Sequence, residues 1–124
     1  MDISYKFQKG INGVVVKLRG TYCIEEFEEF YRKLISEVME KPINAIIWDA
    51  RKLDVKDISQ DQIRQIISKI GQWSSKRKGG KAAWVVGDAL GFGLGRMFEM
   101  GSDGVLDMEI KIFKNLAKAK KLVE

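Results

Sequence analysis

A chain of 124 residues that is 45% hydrophobic can bury one core but is too short to divide comfortably into two, so a single domain over residues 1–124 is expected. It has no histidine and a single cysteine, which excludes a histidine general base, an intrachain disulfide and a Cys/His zinc cage. Its 22 basic residues against 17 acidic ones leave a net charge of +5, enough for weak, salt-sensitive attraction to acidic surfaces, but no aromatic residues interleave with the cations as specific nucleic-acid binding would require.

The opening MDISYKFQKG lacks the apolar run of a signal peptide, and no later stretch approaches the ~18 to 20 apolar residues that span a bilayer. A soluble, cytoplasmic protein is expected. SYKFQ and GVVVKLRG flank the turn-like KGING, which predicts a hairpin over residues 3–8 and about 13–19. The next stretch, CIEEFEEFYRKLISEVMEK, places Ile24, Phe27, Phe30, Tyr31, Leu34, Ile35 and Val38 on one helical stripe. Its four early glutamates suit the positive end of the helix dipole. Pro42 ends this helix, and INAIIWD then reads as a strand covered on both faces, hence a parallel central one.

A second helix starts at Ser59, whose side chain can accept a first-turn amide while Gln62 reaches back in a capping box. Ile63, Ile66, Ile67, Ile70 and Trp73 share its apolar face. The linker SSKRKGGK, with Lys76, Arg77, Lys78 and Lys81, reads as a solvated loop before the buried strand AAWVV. A third helix opens after Asp88 with three alternating glycines. On a helical wheel Leu90, Leu94, Met97 and Phe98 point inward, Gly91 and Gly93 flank that stripe for close packing, and Gly95 lies nearer solvent. Each such glycine costs roughly 1 kcal/mol relative to alanine, which implies tight contact or mobility. The spacing GFGLG matches neither the dinucleotide nor the P-loop fingerprint. DMEIKIF alternates as a half-exposed edge strand, and Asn115 caps a last short helix with Leu116, Ala119 and Val123 inward. The order is ββαβαβαβα: an α/β protein with a mixed, mostly parallel five-stranded sheet and about four helices.

This layout, with GTYCIEEFEEF after the second strand, WDARKLDVKDIS after the third and AAWVVGDALGFGLGRMFE spanning the fourth, resembles the STAS superfamily in its SpoIIAA-like branch. The resemblance runs through nearly the whole chain. Anti-sigma-factor antagonists of that superfamily carry an aspartate ending the third strand and, eight residues on, Asp-Ser-Ser-Gly, whose first serine is phosphorylated by a partner kinase. Asp49 and Asp57 keep that spacing, but Ile58 stands where the phosphorylated serine would be, Ser59 follows, and Gln60 replaces the glycine. Isoleucine has no hydroxyl to modify, so the phosphoserine switch is expected to be absent and Ser59 to act as a cap.

Candidate contact residues follow from the same reading. Phe92, Arg96 and Glu99 lie together on the outward face of the third helix, where an aromatic and an arginine suit a protein interface. Asp88, Arg96, Asp49 and Arg51 fall near the carboxyl ends of parallel strands, where open α/β sheets place ligand crevices. Cys23 begins the first helix in the position of a Thr or Ser cap, and the neighbouring glutamates oppose a reactive thiolate. No nucleophile, base and oxyanion donor converge, and no metal or cofactor site is read. The expected function is a non-enzymatic regulatory or binding module acting through a protein partner or as a homodimer. The alternative, from the branch's resemblance to Sec14-type carriers, is the binding of a small hydrophobic or lipid-like ligand under the Phe92 helix.

Overall fold

Alternating apolar and polar residues make β1 (Asp2–Gln8) and β2 (Gly13–Thr21), paired antiparallel with Asp2 opposite Arg19 and Gln8 opposite Gly13. The computed structural model describes residues 1–8, 13–39, 45–74, 80–106 and 108–122. The predicted turn at 9–12, Pro42, the cations Lys76, Arg77 and Lys78, the side chains of Val38 and Trp73, and Val123 lie outside them. The chain continues as α1 (Ile24–Met39), β3 (Ala45–Asp54), α2 (Gln60–Ser74), β4 (Gly80–Val85), α3 (Ala89–Ser102), β5 (Met108–Phe113) and α4 (Leu116–Leu122). Strands pair in chain order, β1-β2-β3-β4-β5, and every pair after the first is parallel. The sheet is therefore mixed and mostly parallel, with β3 at its centre and β5 at one edge.

Side chains alternate between the two sheet faces, and each face has its own core. Val14, Val16, Ile46, Trp48 and Ala82 meet the apolar stripes of α1, α2 and α3, including Phe27, Tyr31, Leu34, Ile63, Ile66 and Phe98. At its centre Trp48 and Trp84 stack with ring centroids 5.2 Å apart and planes 14° from parallel, and Tyr31 also stacks with Trp48 at 5.9 Å. The opposite face carries Val15, Ala45, Ile47, Ala83 and Val85 with Ala119 of α4. Outward residues of β1 and β2, among them Lys6, Lys17 and Arg19, are exposed. None of the described helices is long and apolar enough to cross a membrane.

The caps read from the sequence form as expected. Ser59 Oγ accepts from the Gln62 amide at 3.2 Å while the Ser59 amide donates to Gln62 Oε1 at 2.8 Å, and Asn115 Oδ1 accepts from the Lys118 amide at 3.2 Å. Cys23 behaves otherwise. Its thiol donates to the Glu25 carboxylate at 3.3 Å instead of accepting a first-turn amide as Ser or Thr would. A second difference concerns β3, which runs five residues past Asp49, so that aspartate does not end the strand. Residues 52–54 pair with β2 alone, whereas β4 pairing stops at Asp49. A strand end with one neighbour can remain exposed and charged, which is why ARKLD carries no buried-strand pattern.

Candidate functional site

Helix α3 starts where Asp88, extended at φ −145°, accepts the Gly91 amide on its carboxylate at 2.7 Å. The helix then advances about 100° per residue, and its inward side runs through Gly91, Leu94, Gly95, Phe98 and Ser102. This corrects the wheel read from the sequence. Leu90 is 50% exposed, because Gly91, one step further round, takes the inward place against Val86. A Cβ added at Gly91 would meet Asp88 Oδ1 at 3.1 Å and Val86 Cβ at 3.3 Å, and one at Gly95 would meet Ile112 Cγ2 at 3.0 Å, whereas Gly93 faces open space. Gly95, and not Gly93, is the second packing glycine.

Missing side chains at Gly91 and Gly95 leave a concavity between α2, α3 and the carboxyl ends of β3 and β4. It is a cleft of about 90 Å³ lined by Ile63 and Ile66 of α2, by Gly91, Leu94, Gly95 and Phe98 of α3, and by Trp84, Val86 and Gly87 below. Tyr22, Phe27, Ala50, Arg51, Leu53, Val55 and Ile58 complete it. The lining is almost wholly apolar. Ile58 packs partly buried against the core and lines this cleft. Tyr22 adds a tension to the same region: its hydroxyl oxygen is buried and has no hydrogen-bond partner among the described residues. That burial pushes its pKa well above the ordinary tyrosine range, so the group stays protonated.

The other candidates separate into three places. Asp49 points to the α4 side of the sheet, opposite the cleft, since it pairs with Lys17 and Val85 in the register whose side chains line that face. Its carboxylate accepts from Arg51 Nε and Nη2, each at 2.8 Å. Those bonds hold the acid below its ordinary value, with burial opposing. On α3, Arg96 pairs with Glu99 at 3.3 Å, as the outward face predicts, and half-buried Phe92 carries Lys114 Nζ 4.5 Å above its ring. Asp57 is exposed in the turn before α2, and Ser59 and Asp88 serve as caps. The structure therefore brings Phe92, Arg96 and Glu99 onto one helix but does not join Arg96 to Asp49 on a common rim; the sheet lies between them. As cleft residues Tyr22, Trp84 and Gly87 escaped the sequence reading, and Ile58 was singled out there only for its lack of a hydroxyl. An isoleucine isolated in the polar run DVKDISQ was the one available signal among them.

A hairpin leading into three parallel β-α units, with three helices on one face and a short fourth on the other, is a STAS-type architecture in its SpoIIAA-like form. The solved structure of the anti-sigma factor antagonist SpoIIAA in its unphosphorylated form aligns with a TM-score of 0.62 over 98% of this chain and 96% of that one, at 10% sequence identity. At that identity the likeness is one of fold. No family model matches the sequence, nor does any curated protein.

Proposed function

We propose that the protein is a non-enzymatic regulatory module that acts through contacts with a protein partner or a second copy of itself, without a phosphoserine switch. The observation that carries this reading is the side chain at position 58. In a fold like that of an anti-sigma factor antagonist, Ile58, which the sequence resemblance sets in the place of the modified serine, is packed against the core; it can neither take a phosphate nor be exposed without cost. The contact face in this reading is the outer side of α3, with Phe92 as its apolar anchor and the Arg96–Glu99 pair as its polar rim.

A second reading rests on the cleft. Its apolar walls and the unpartnered Tyr22 hydroxyl suit a small uncharged ligand that brings a hydrogen-bond acceptor. An engineered apolar cavity of about 150 Å³ holds benzene, so about 90 Å³ suits one ring partly projecting, or a short chain end, better than long acyl chains.

Native mass spectrometry of the purified protein across a concentration series tests both readings. A dimer that Phe92→Ser shifts about thirtyfold toward monomer, the effect of losing about 2 kcal/mol from an interface anchor, supports self-association through α3. A retained small apolar mass supports the ligand reading. Monomers of bare chain mass in both proteins would remove self-association and leave the cleft without a resident ligand.

A further inference from the structure

The exposed side of the sheet holds a second hollow, polar where the cleft is apolar. It measures about 120 Å³ and is lined by Lys17, Leu18, Arg19, Asp49, Arg51 and Lys52, four cations around one carboxylate. That carboxylate is largely spent: Asp49 is 7% exposed, and both its oxygens accept from the Arg51 guanidinium at 2.8 Å. Lys17, Arg19 and Lys52 are exposed and form no ion pair among the described residues.

An irregularity in the sheet gathers these cations. Lys17 lies opposite Asp49, but two residues further along β2, Arg19 lies opposite Lys52, three residues further along β3. The extra residue makes a bulge, which is rare between parallel strands and re-aims the side chains around it. With regular pairing Arg19 would oppose Arg51, and Lys52 would turn to the core side. With the bulge, Ala50 and Leu53 pack toward the core, Lys52 joins Lys17 and Arg19 outside, and Arg51 folds back onto Asp49. Gly87, in the bend after β4, lies against the bulge, for a Cβ there would come within 2.7 Å of the Arg51 carbonyl oxygen.

We propose that this hollow binds a small, multiply charged oxyanion of the phosphate class. The cations on these adjacent strands, which lie about 4.8 Å apart, outnumber the carboxylates beside them, Asp49 near Lys17 and Asp2 opposite Arg19, and concentrate positive potential in a concave site. Arg19 offers the forked donors that match phosphate oxygens, and Lys17 and Lys52 add point charges. Asp49 is a positioning residue here: it pins Arg51 along the floor and leaves the excess charge to the other three.

Calorimetric titration of the full chain with inorganic phosphate, pyrophosphate and glycerol phosphate tests the proposal. The expected result is saturable one-to-one binding that Lys17→Gln or Arg19→Gln weakens at least tenfold. Arg19→Lys should retain part of it. Lys6→Gln, an exposed cation on the same face outside the hollow, should leave it unchanged. Tighter binding of glycerol phosphate than of inorganic phosphate would assign the site to a phosphate ester, and the reverse order to the free ion. Binding that chloride abolishes at equal concentration, or that Lys6→Gln weakens as much as Lys17→Gln, would overturn the proposal, as would no binding at all.

Discussion

Gly91, Gly93 and Gly95 alternate along α3 yet meet three different surroundings, and substitution separates them. Gly93→Ala adds a methyl group to open space and should stabilise by up to about 1 kcal/mol, the helix-propensity difference. Gly95→Ala must displace Ile112 from 3.0 Å, which offsets that gain, and Gly95→Leu should cost ~1 to 3 kcal/mol by overpacking. Equal responses in denaturant melts would contradict this placement. The sequence wheel set Gly93 beside the inward stripe and Gly95 nearer solvent because its phase runs through Leu90 and Met97. Glycine contributes no apolar signal, so a stripe that buries two of them cannot be phased from hydrophobicity alone. Asp49 gives a second test at this scale. Its carboxyl is held below the ordinary 3.8, chiefly by the Arg51 hydrogen bonds, so it binds protons less readily folded than unfolded. Its contribution is complete above the unfolded value and disappears as pH falls through the folded one. Asp49→Asn should therefore destabilise near neutral pH, and the gap from wild type should narrow as pH falls through the ordinary carboxylate value and on below it. A constant gap would show that the ion pair is not its source.

Helix α2 shows how much an element owes to its first turn. The reciprocal bonds between Ser59 and Gln62 satisfy two backbone amides at the helix start, so Ser59→Ala should cost about 1 kcal/mol in thermal or denaturant unfolding without changing association. A change in oligomeric state with unchanged stability would instead make Ser59 a contact residue. This cap, the apolar stripes of α1 and α2 and the edge position of β5 were all legible, because each rests on contacts within one element or on a strong period. The continuation of β3 was not. Its last residues pair on one side only, and the bulge at Ala50–Arg51 breaks the alternation by which a strand is recognised. The polar hollow was hidden for the same reason: Lys17 and Arg19 alternate visibly in VKLRG, but no periodic rule carries Lys52 to their side.

Across the whole molecule, element order and strand direction followed from the sequence, because parallel strands joined by helices leave few arrangements. The separation of the candidate residues did not, since it depends on which face of the sheet each strand residue occupies. Asp49 and Arg96 are near the same strand ends but on opposite sides of a layer. Charge is divided in a related way: α1 carries Glu25, Glu26, Glu28 and Glu29, while Lys6, Lys17, Arg19 and Lys52 lie on the open side of β1–β3. The chain thus presents an apolar cleft and a cationic hollow on opposite faces of the sheet at the carboxyl end of β3, with Arg51 lining both.

Strand order identical to chain order also governs how the protein assembles. Each strand pairs with the one made just before it, so no pairing waits for a distant partner, and loop-closure entropy is met one crossover at a time. The sheet can grow from the β1-β2 hairpin outward, each parallel addition using the preceding strand as its template. Opening from the other end should likewise begin with β5, which has one strand neighbour, so that the stacked Trp48 and Trp84 on β3 and β4 separate only after β5 has left.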